Sequence, residues 1–186
     1  MIRDFPIILV DTNVWLDNYL GGRPGSSASR RFIDVARTLG AHLTYPVHCL
    51  NDFYYLIQAD LKRNTPRKNS LSENEALAIR ETAWACVEHL RTFATAIAAD
   101  ESDAWRACKY RSLTNDLEDN FVLAAAERAD VDFIVTNDQQ LLRKSTVNAF
   151  TPEDAVLMLQ VTYTNRPLSI GERPPCGQPL AGVQQR

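Results

Sequence analysis

No two of the four cysteines, Cys49, Cys86, Cys108 and Cys176, form a CxxC pair, so neither a disulfide framework nor a zinc ribbon is supported and reduced thiols are expected. The three histidines, His42, His48 and His89, have no HExxH-type spacing, which leaves structural or surface roles for them. No apolar run approaches the roughly 20 residues of a membrane span. The run from Phe5 to Val10 stops at Asp11 and lacks the basic leader and cleavage site of a secretory signal. A soluble, cytoplasmic protein without membrane contacts is therefore expected. Internal repeats are absent. An excess of positive charge is missing as well, since 20 basic and 23 acidic residues give a net charge of −3. For a polyanionic ligand the distribution of charge matters more than its sum. Lys62, Arg63, Arg67 and Lys68 form one basic cluster, and Arg106, Lys109 and Arg111 form a second. Taken alone, each reads equally well as phosphate contacts or as a solvated face.

What is present is enough apolar material for one domain: 45% of 186 residues is hydrophobic. Ile7-Ile8-Leu9-Val10 is a continuous aliphatic run that predicts a strand buried on both faces and delivers Asp11 at its end. A short helix over 14–20 follows, then a glycine-rich loop over 21–27, then a helix from about Ser29 with an apolar stripe of Phe32, Val35, Ala36 and Leu39 and a stop at Gly40. Strands are expected over 41–45, 93–97, 133–135 and 147–150. Pro46 is placed in the first turn of a helix reaching Ala59, which carries Asp52. The polar segment 62–69 is expected as a loop. Ser72 with Glu75 is a helix-start signal for a long helix with Leu77, Trp84, Val87 and Leu90 on its inner side. A further helix over 102–110 is expected to bury Trp105 and Cys108. Asp116-Leu117-Glu118-Asp119 opens an apolar helix through Ala126, and Thr151-Pro152-Glu153 starts the last one. Alternating strands and helices predict an α/β fold, a three-layer α/β/α sandwich around a central parallel sheet, with functional groups at the carboxyl ends of the strands. Two regions are expected: a domain over 1–160, in which 61–91 holds a basic loop and a long helix, and a proline-rich C-terminal tail over 161–186 that is disordered or binds a partner.

Asp11 and Asp138 each follow a strand, so their carboxylates can face one crevice. Asp119, at a helix start, and Asp52, on the helix after the second strand, can complete a ring of four acids. Such a ring repels itself unless a cation sits within it, and an all-oxygen donor set suits Mg2+ or Mn2+. That cation would activate water for in-line attack on a phosphodiester, with Asn13 and Asn137 holding waters around it. A plainer reading accompanies each residue. Asp116 and Asp119 serve equally as helix caps, Thr12 and Asn13 as a cap, and Asp52 as a solvated helix residue. Asp11 stands out because a carboxylate directly after four buried aliphatics requires a partner.

The ordered elements Ile8-Leu9-Val10-Asp11-Thr12-Asn13, Asp119-Asn120-Phe121-Val122-Leu123-Ala124-Ala125-Ala126 and Ile134-Val135-Thr136-Asn137-Asp138 resemble the motifs of PIN domains over about residues 6–160. The resemblance implies a PIN-like, Rossmann-like fold and a metal-dependent endoribonuclease. It implies Asp11, Asp52, Asp119 and Asp138 as catalytic acids, and Asp11, Asp119 and Asp138 as metal ligands with Asp116 as an accessory. Thr12, Asn13, Thr136 and Asn137 are its supporting polar residues. The second acid departs from the usual glutamate, since Asn51-Asp52 stands in that region. Lys62, Arg63, Arg67, Lys68, Lys109 and Arg111 become candidates for RNA binding. Many small bacterial members of the family are VapC-type toxins, which implies an RNA substrate, a cognate antitoxin protein and, as a further candidate partner, a second copy of the chain. Two competing readings are a catalytically silent RNA-binding or scaffold module of the same fold and a metal-dependent phosphatase. The phosphatase reading lacks its Asp-x-Asp pattern, residue 13 being Asn.

Overall fold

The computed structural model describes residues 4–66 and 71–163; Arg67, Lys68, Cys176 and the greater part of the expected tail, 164–186, lie outside the described residues. Five strands, β1 Ile7–Val10, β2 His42–Pro46, β3 Ala94–Ile97, β4 Phe133–Val135 and β5 Ala149–Phe150, form one sheet in the order β3-β2-β1-β4-β5. Every neighbouring pair is parallel. The connecting helices are α1 Thr12–Tyr19, α2 Ser26–Thr38, α3 Cys49–Asn64, α4 Glu73–Arg91, α5 Glu101–Lys109, α6 Leu117–Arg128, α7 Gln139–Lys144 and α8 Pro152–Tyr163, with a 3₁₀ turn at Tyr110–Ser112.

Successive side chains of a strand point to opposite faces, and β1 shows the consequence. Ile8 and Val10 join a core with Trp15, Phe32, Phe53, Val87 and Leu159, drawn from α1 to α4 and α8. Leu9 points the other way, into a second core with Val122, Leu123 and Leu141 from α6 and α7. Helix α5 packs outside α6. The sheet is thus covered on both faces, the expected three layers. Ile8, Leu9 and Val10 are wholly buried, and each contributes roughly 2 kcal/mol by leaving water.

Strand order places the site. From β1 the chain winds outward through β2 and β3, then crosses back to lay β4 on the other side of β1. A sheet of this kind opens a crevice at the carboxyl ends where the winding reverses, here between β1 and β4. Val10 pairs with Val135 at that edge, and Asp11 donates its backbone N–H to Val135 at 3.0 Å.

Several local expectations hold in detail. Ser72 and Glu75 form a reciprocal capping box at α4, and Gly40, with φ +75°, follows the end of α2 in the left-handed conformation that glycine takes freely. Others require correction. Pro46 ends β2, paired in register with Ile97, and α3 begins only at Cys49; proline lacks the N–H a central ladder needs but is tolerated at a strand end. Lys62 and Arg63 lie in the last turn of α3, where cations complement the helix dipole, not in a loop. The inner stripe of α4 is Ile79, Ala83, Val87 and Leu90, while Leu77 and Trp84 are exposed and Trp84 stacks on Tyr54 of α3. Helix α5 buries Asp103 and Ala107 in place of Trp105 and Cys108. Asp103 can be buried because Arg128 Nε donates to it at 2.8 Å, whereas the 58% exposed Trp105 carries the Lys109 ammonium over its ring. Strand β5 covers only Ala149–Phe150 of the expected 147–150, and α7 is an additional helix that the apolar pattern did not announce. Helix α8 runs through Tyr163, so residues 161–163 are helical. No helix among the described residues is long and apolar enough to cross a membrane.

Candidate functional site

Asp11 is the residue on which the crevice is built. It is only 7% exposed, and both oxygens are engaged. Oδ1 accepts the backbone N–H of Thr12 at 2.6 Å, which makes Asp11 the N-cap of α1. Oδ2 accepts from Asn13 Nδ2 and from Thr136 Oγ1, each at 2.6 Å. Burial pushes the carboxyl above its ordinary value and the Asp138 carboxylate adds to the rise, while the hydrogen bonds from Thr136, Thr12 and Asn13 pull it down. A buried carboxyl in that balance gains from any cation that reaches it.

The loop after β4 supplies the opposite wall. Thr136, fully buried, donates to Asp11 and accepts from Asn13 Nδ2 at 3.2 Å and from the Asp138 backbone at 2.9 Å. Asp138 caps α7 through Oδ1 alone, accepting from the backbones of Gln140 at 2.6 Å and Leu141 at 2.9 Å. Asp116 caps α6 in the same way, its Oδ1 accepting from Glu118 at 2.8 Å and Asp119 at 3.4 Å. Of the capping roles that the sequence offered as plain readings, that of Asp116 is present, whereas Asp119 lies inside the first turn of α6 and the cap of α1 is Asp11 rather than Thr12 or Asn13; Asp138 is a cap as well. Capping and ligation do not compete, because one oxygen suffices for a cap and Oδ2 of both Asp116 and Asp138 remains for a ligand. Three helix N-termini, those of α1, α6 and α7, converge on the acids and offset part of their charge.

Asp119, in the first turn of α6, shows how much charge remains. Burial, followed by the carboxylates of Asp116, Asp138 and Asp11, pushes it up to about 6. Its neighbour Glu118 rises further, to about 7, by burial and then by Asp52, Asp11, Asp116 and Asp119, although the residue as a whole reaches solvent. Asp52, in the first turn of α3, enters the group through Glu118. Thus Asp11, Asp119, Asp138 and Asp116 lie within electrostatic reach of one another, and Asp52 stands at the edge. The donors are all hard oxygens, the type Mg2+ and Mn2+ prefer, and their mutual repulsion is what a divalent cation relieves. Among the described residues, no three acidic, histidine or cysteine side chains are already closed into a cage.

Two members of this neighbourhood escaped the sequence reading. Glu118 was visible only as part of an acidic run in which its partners looked better placed. Asp17, in the middle of the apolar helix α1, is 5% exposed; the available signal was its spacing of four from Asn13, which puts both on one helix face. Asn13 is also used differently from expectation. Both its amide atoms serve the protein, Nδ2 as above and Oδ1 by accepting the Asn137 backbone N–H at 3.0 Å, so it braces the acids directly. Thr12, buried at the head of α1, contributes its backbone to Asp11.

Two of the described basic candidates pair with acids outside this network. Arg106 pairs with Glu127 at 3.3 Å, Arg63 approaches Asp60 at 3.9 Å, and Arg111 is exposed in the 3₁₀ turn. The histidines keep structural roles: His89 bonds Tyr19 at 2.7 Å, His42 meets Phe5 edge-on, and His48 packs on Phe121. Cys49, Cys86 and Cys108 are free thiols, and burial raises Cys49 to about 12, which makes it unreactive.

The family described as PIN domain matches residues 7–140 of the chain. Among solved structures, FitAcB from Neisseria gonorrhoeae is similar with a TM-score of 0.54 at 16% identity, over 78% of this chain and 98% of that one. FitAB bound to an IR36 DNA fragment gives a TM-score of 0.52 at 13% identity, over 79% and 96% respectively. At such identities the likeness is one of fold. No match was found among curated proteins.

Proposed function

The chain belongs to the PIN-domain family, and from that premise we propose that it is a divalent-metal-dependent endoribonuclease that hydrolyses RNA phosphodiester bonds. The observation that carries the reading is the gathering of carboxylates at the β1/β4 crevice, where burial and then Asp116, Asp138 and Asp11 lift Asp119 to about 6. Charge concentrated against its own repulsion at a strand-end crevice is the mark of a site built for a cation.

In this reading Asp11, Asp119 and Asp138 hold Mg2+ or Mn2+, with Asp116 as accessory. When bound, the cation supplies Lewis acidity and charge neutralisation at the scissile phosphate. The chain's own residues do the rest. Thr136 and Asn13 fix the Asp11 carboxylate by hydrogen bonds to Oδ2. A carboxylate of the cluster accepts the proton of the attacking water. Asp52 of α3 and Glu118 of α6 add negative charge at the edge of the cluster. Lys62, Arg63, Arg67, Lys68, Lys109 and Arg111 contact RNA phosphates, supplying the salt-dependent part of binding. We further propose a role as the toxin of a type II toxin–antitoxin pair, on the basis of the VapC-like motif order, with the antitoxin, and a second copy of the chain, as protein partners.

The test is purified protein with Mn2+ or Mg2+ and mixed RNA substrates, beside Asp11→Ala. Wild type cuts and the variant loses at least about 100-fold in rate. RNA that is bound yet left equally intact by both proteins refutes the enzyme. That result would favour the silent RNA-binding module, a reading kept in view by Asn51-Asp52 standing in the region of the family glutamate. For the toxin role, expression alone should arrest growth, a small upstream reading frame is expected beside the gene, and co-expression with it should relieve the arrest.

A further inference from the structure

Helix α1 grips the loop between β4 and α7 at two points, both on Asn137. Asn13 Oδ1 accepts its backbone N–H at 3.0 Å, and Asp17 Oδ2 accepts its side-chain Nδ2 at 2.9 Å. Asn13 and Asp17 are one turn apart on one face of α1, so both reach the same loop residue. Asp17 is withdrawn from solvent, where a carboxylate needs a countercharge. Arg23 provides it, Nε donating to Asp17 Oδ1 at 2.5 Å. The connection from α1 to α2 closes over this group at Gly25. A Cβ there would run into Asp17 Oδ2 and stand 3.0 Å from Asn137 Nδ2. The glycine-rich segment is thus shaped to let Asp17 meet Asn137.

The gripped residue sits between two site residues. On one side Thr136 donates to Asp11, and on the other Asp138 turns its carboxyl to the crevice. Asp17 already has its countercharge in Arg23, whereas the donors to Asp11 are all neutral, so Asp17 is not counted as a fifth metal acid. A buried ion pair adds little net stability compared with well-packed apolar residues, and its better-attested use is to specify one arrangement.

We propose that Asp17, neutralised by Arg23, is a positioning residue that locks the β4–α7 loop to α1 and thereby sets Thr136 and Asp138 against Asp11 in the arrangement that binds a divalent cation. This rests on the nuclease reading above. Residues that orient metal ligands typically alter affinity about 10- to 100-fold when removed.

The experiment compares wild type, Asp17→Ala, Asp17→Asn, Gly25→Ala and Asp11→Ala for Mn2+ affinity by calorimetric titration, for the Mn2+ concentration giving half-maximal RNA cleavage, and for metal-free thermal unfolding. Asp17→Ala should weaken Mn2+ binding about 10- to 100-fold and shift half-maximal cleavage by the same factor, with the rate at saturating Mn2+ largely kept. Asp17→Asn retains an acceptor for Asn137 and should recover part of the loss. Gly25→Ala, which drives a methyl into the same contact, should copy Asp17→Ala and carries the test if that variant does not fold. Wild-type Mn2+ affinity in Asp17→Ala, or in a folded Gly25→Ala, overturns the positioning role while loss of binding in Asp11→Ala leaves the nuclease reading standing. If wild type itself neither binds Mn2+ nor cuts RNA, the nuclease reading falls and the positioning role with it.

Discussion

Asp119→Asn should stabilise the metal-free protein while abolishing cleavage. Asparagine keeps the shape and an acceptor but removes the charge that burial first, and then Asp116, Asp138 and Asp11, disfavour. Raising this carboxyl from its ordinary 3.8 to about 6 corresponds to about 3 kcal/mol of destabilisation of its ionised form. Asp119 is partly solvated, so we expect about 1–2 kcal/mol, or roughly 2–6 °C in Tm for a chain of this size. The sign follows from linkage. A carboxyl raised by folding binds its proton more tightly in the native state, so its contribution is most favourable below the unfolded value near 4 and is lost as pH rises through about 6. The gain from the substitution is therefore full at pH 8 and absent at pH 4. Thermal unfolding of both proteins in chelator, from pH 4 to 8, measures it directly. Added Mn2+ should raise the Tm of wild type and do much less for the variant, because binding to the native state alone stabilises it. A variant less stable than wild type at pH 8 without metal would refute the idea that these acids are held together against repulsion.

Two further outcomes are expected. Arg23→Ala strands the Asp17 carboxylate without a countercharge, a change that costs about 3–5 kcal/mol for a fully buried pair. Because the Arg23 side chain is 35% exposed, about 2–3 kcal/mol is expected here, and Arg23→Ala with Asp17→Asn should recover most of it in urea unfolding. Equal instability of the single and double variants would show that the charge is not the cause. Asp116→Asn keeps a cap for α6 but removes one of the carboxylates that, after burial, lift Asp119, so ionisation of Asp119 in the metal-free protein should move to lower pH. NMR titration of the metal-free protein from pH 4 to 8 checks this, and an unmoved or upward midpoint contradicts it.

The parts of the molecule legible in the sequence are those where one local rule acts without competition. Ile7 to Val10 has to be a strand with both faces covered, and Ser72 with Glu75 has to start a helix, because nothing else satisfies those groups as well. Asp11, Asp119 and Asp138 were visible because each follows a strand or opens a helix. What stayed hidden depends on partners distant in the chain. Trp84 and Trp105 look like core residues by type, yet Tyr54 and Lys109 give them surface contacts. Asp103 looks like a surface residue until Arg128 arrives from another helix. Helix α7 was obscured because Asp138, read as a site acid, also caps it. Asp17 belongs to the same class, since its burial is intelligible only with Arg23, Gly25 and Asn137 around it.

The central place of the first strand has a consequence for synthesis. β1 emerges early, but the partner on its second edge, β4, is made more than a hundred residues later, and the bond from Thr136 to Asp11 spans 125 positions. At about 5–20 residues per second, the ribosome holds for several seconds a chain whose crevice lacks one wall. The crevice is complete only once Thr136 has been made. A chain interrupted before Phe133 leaves one side of β1 unpaired, an aliphatic strand edge of the kind that recruits other chains. Premature termination should therefore yield insoluble fragments and no active ones.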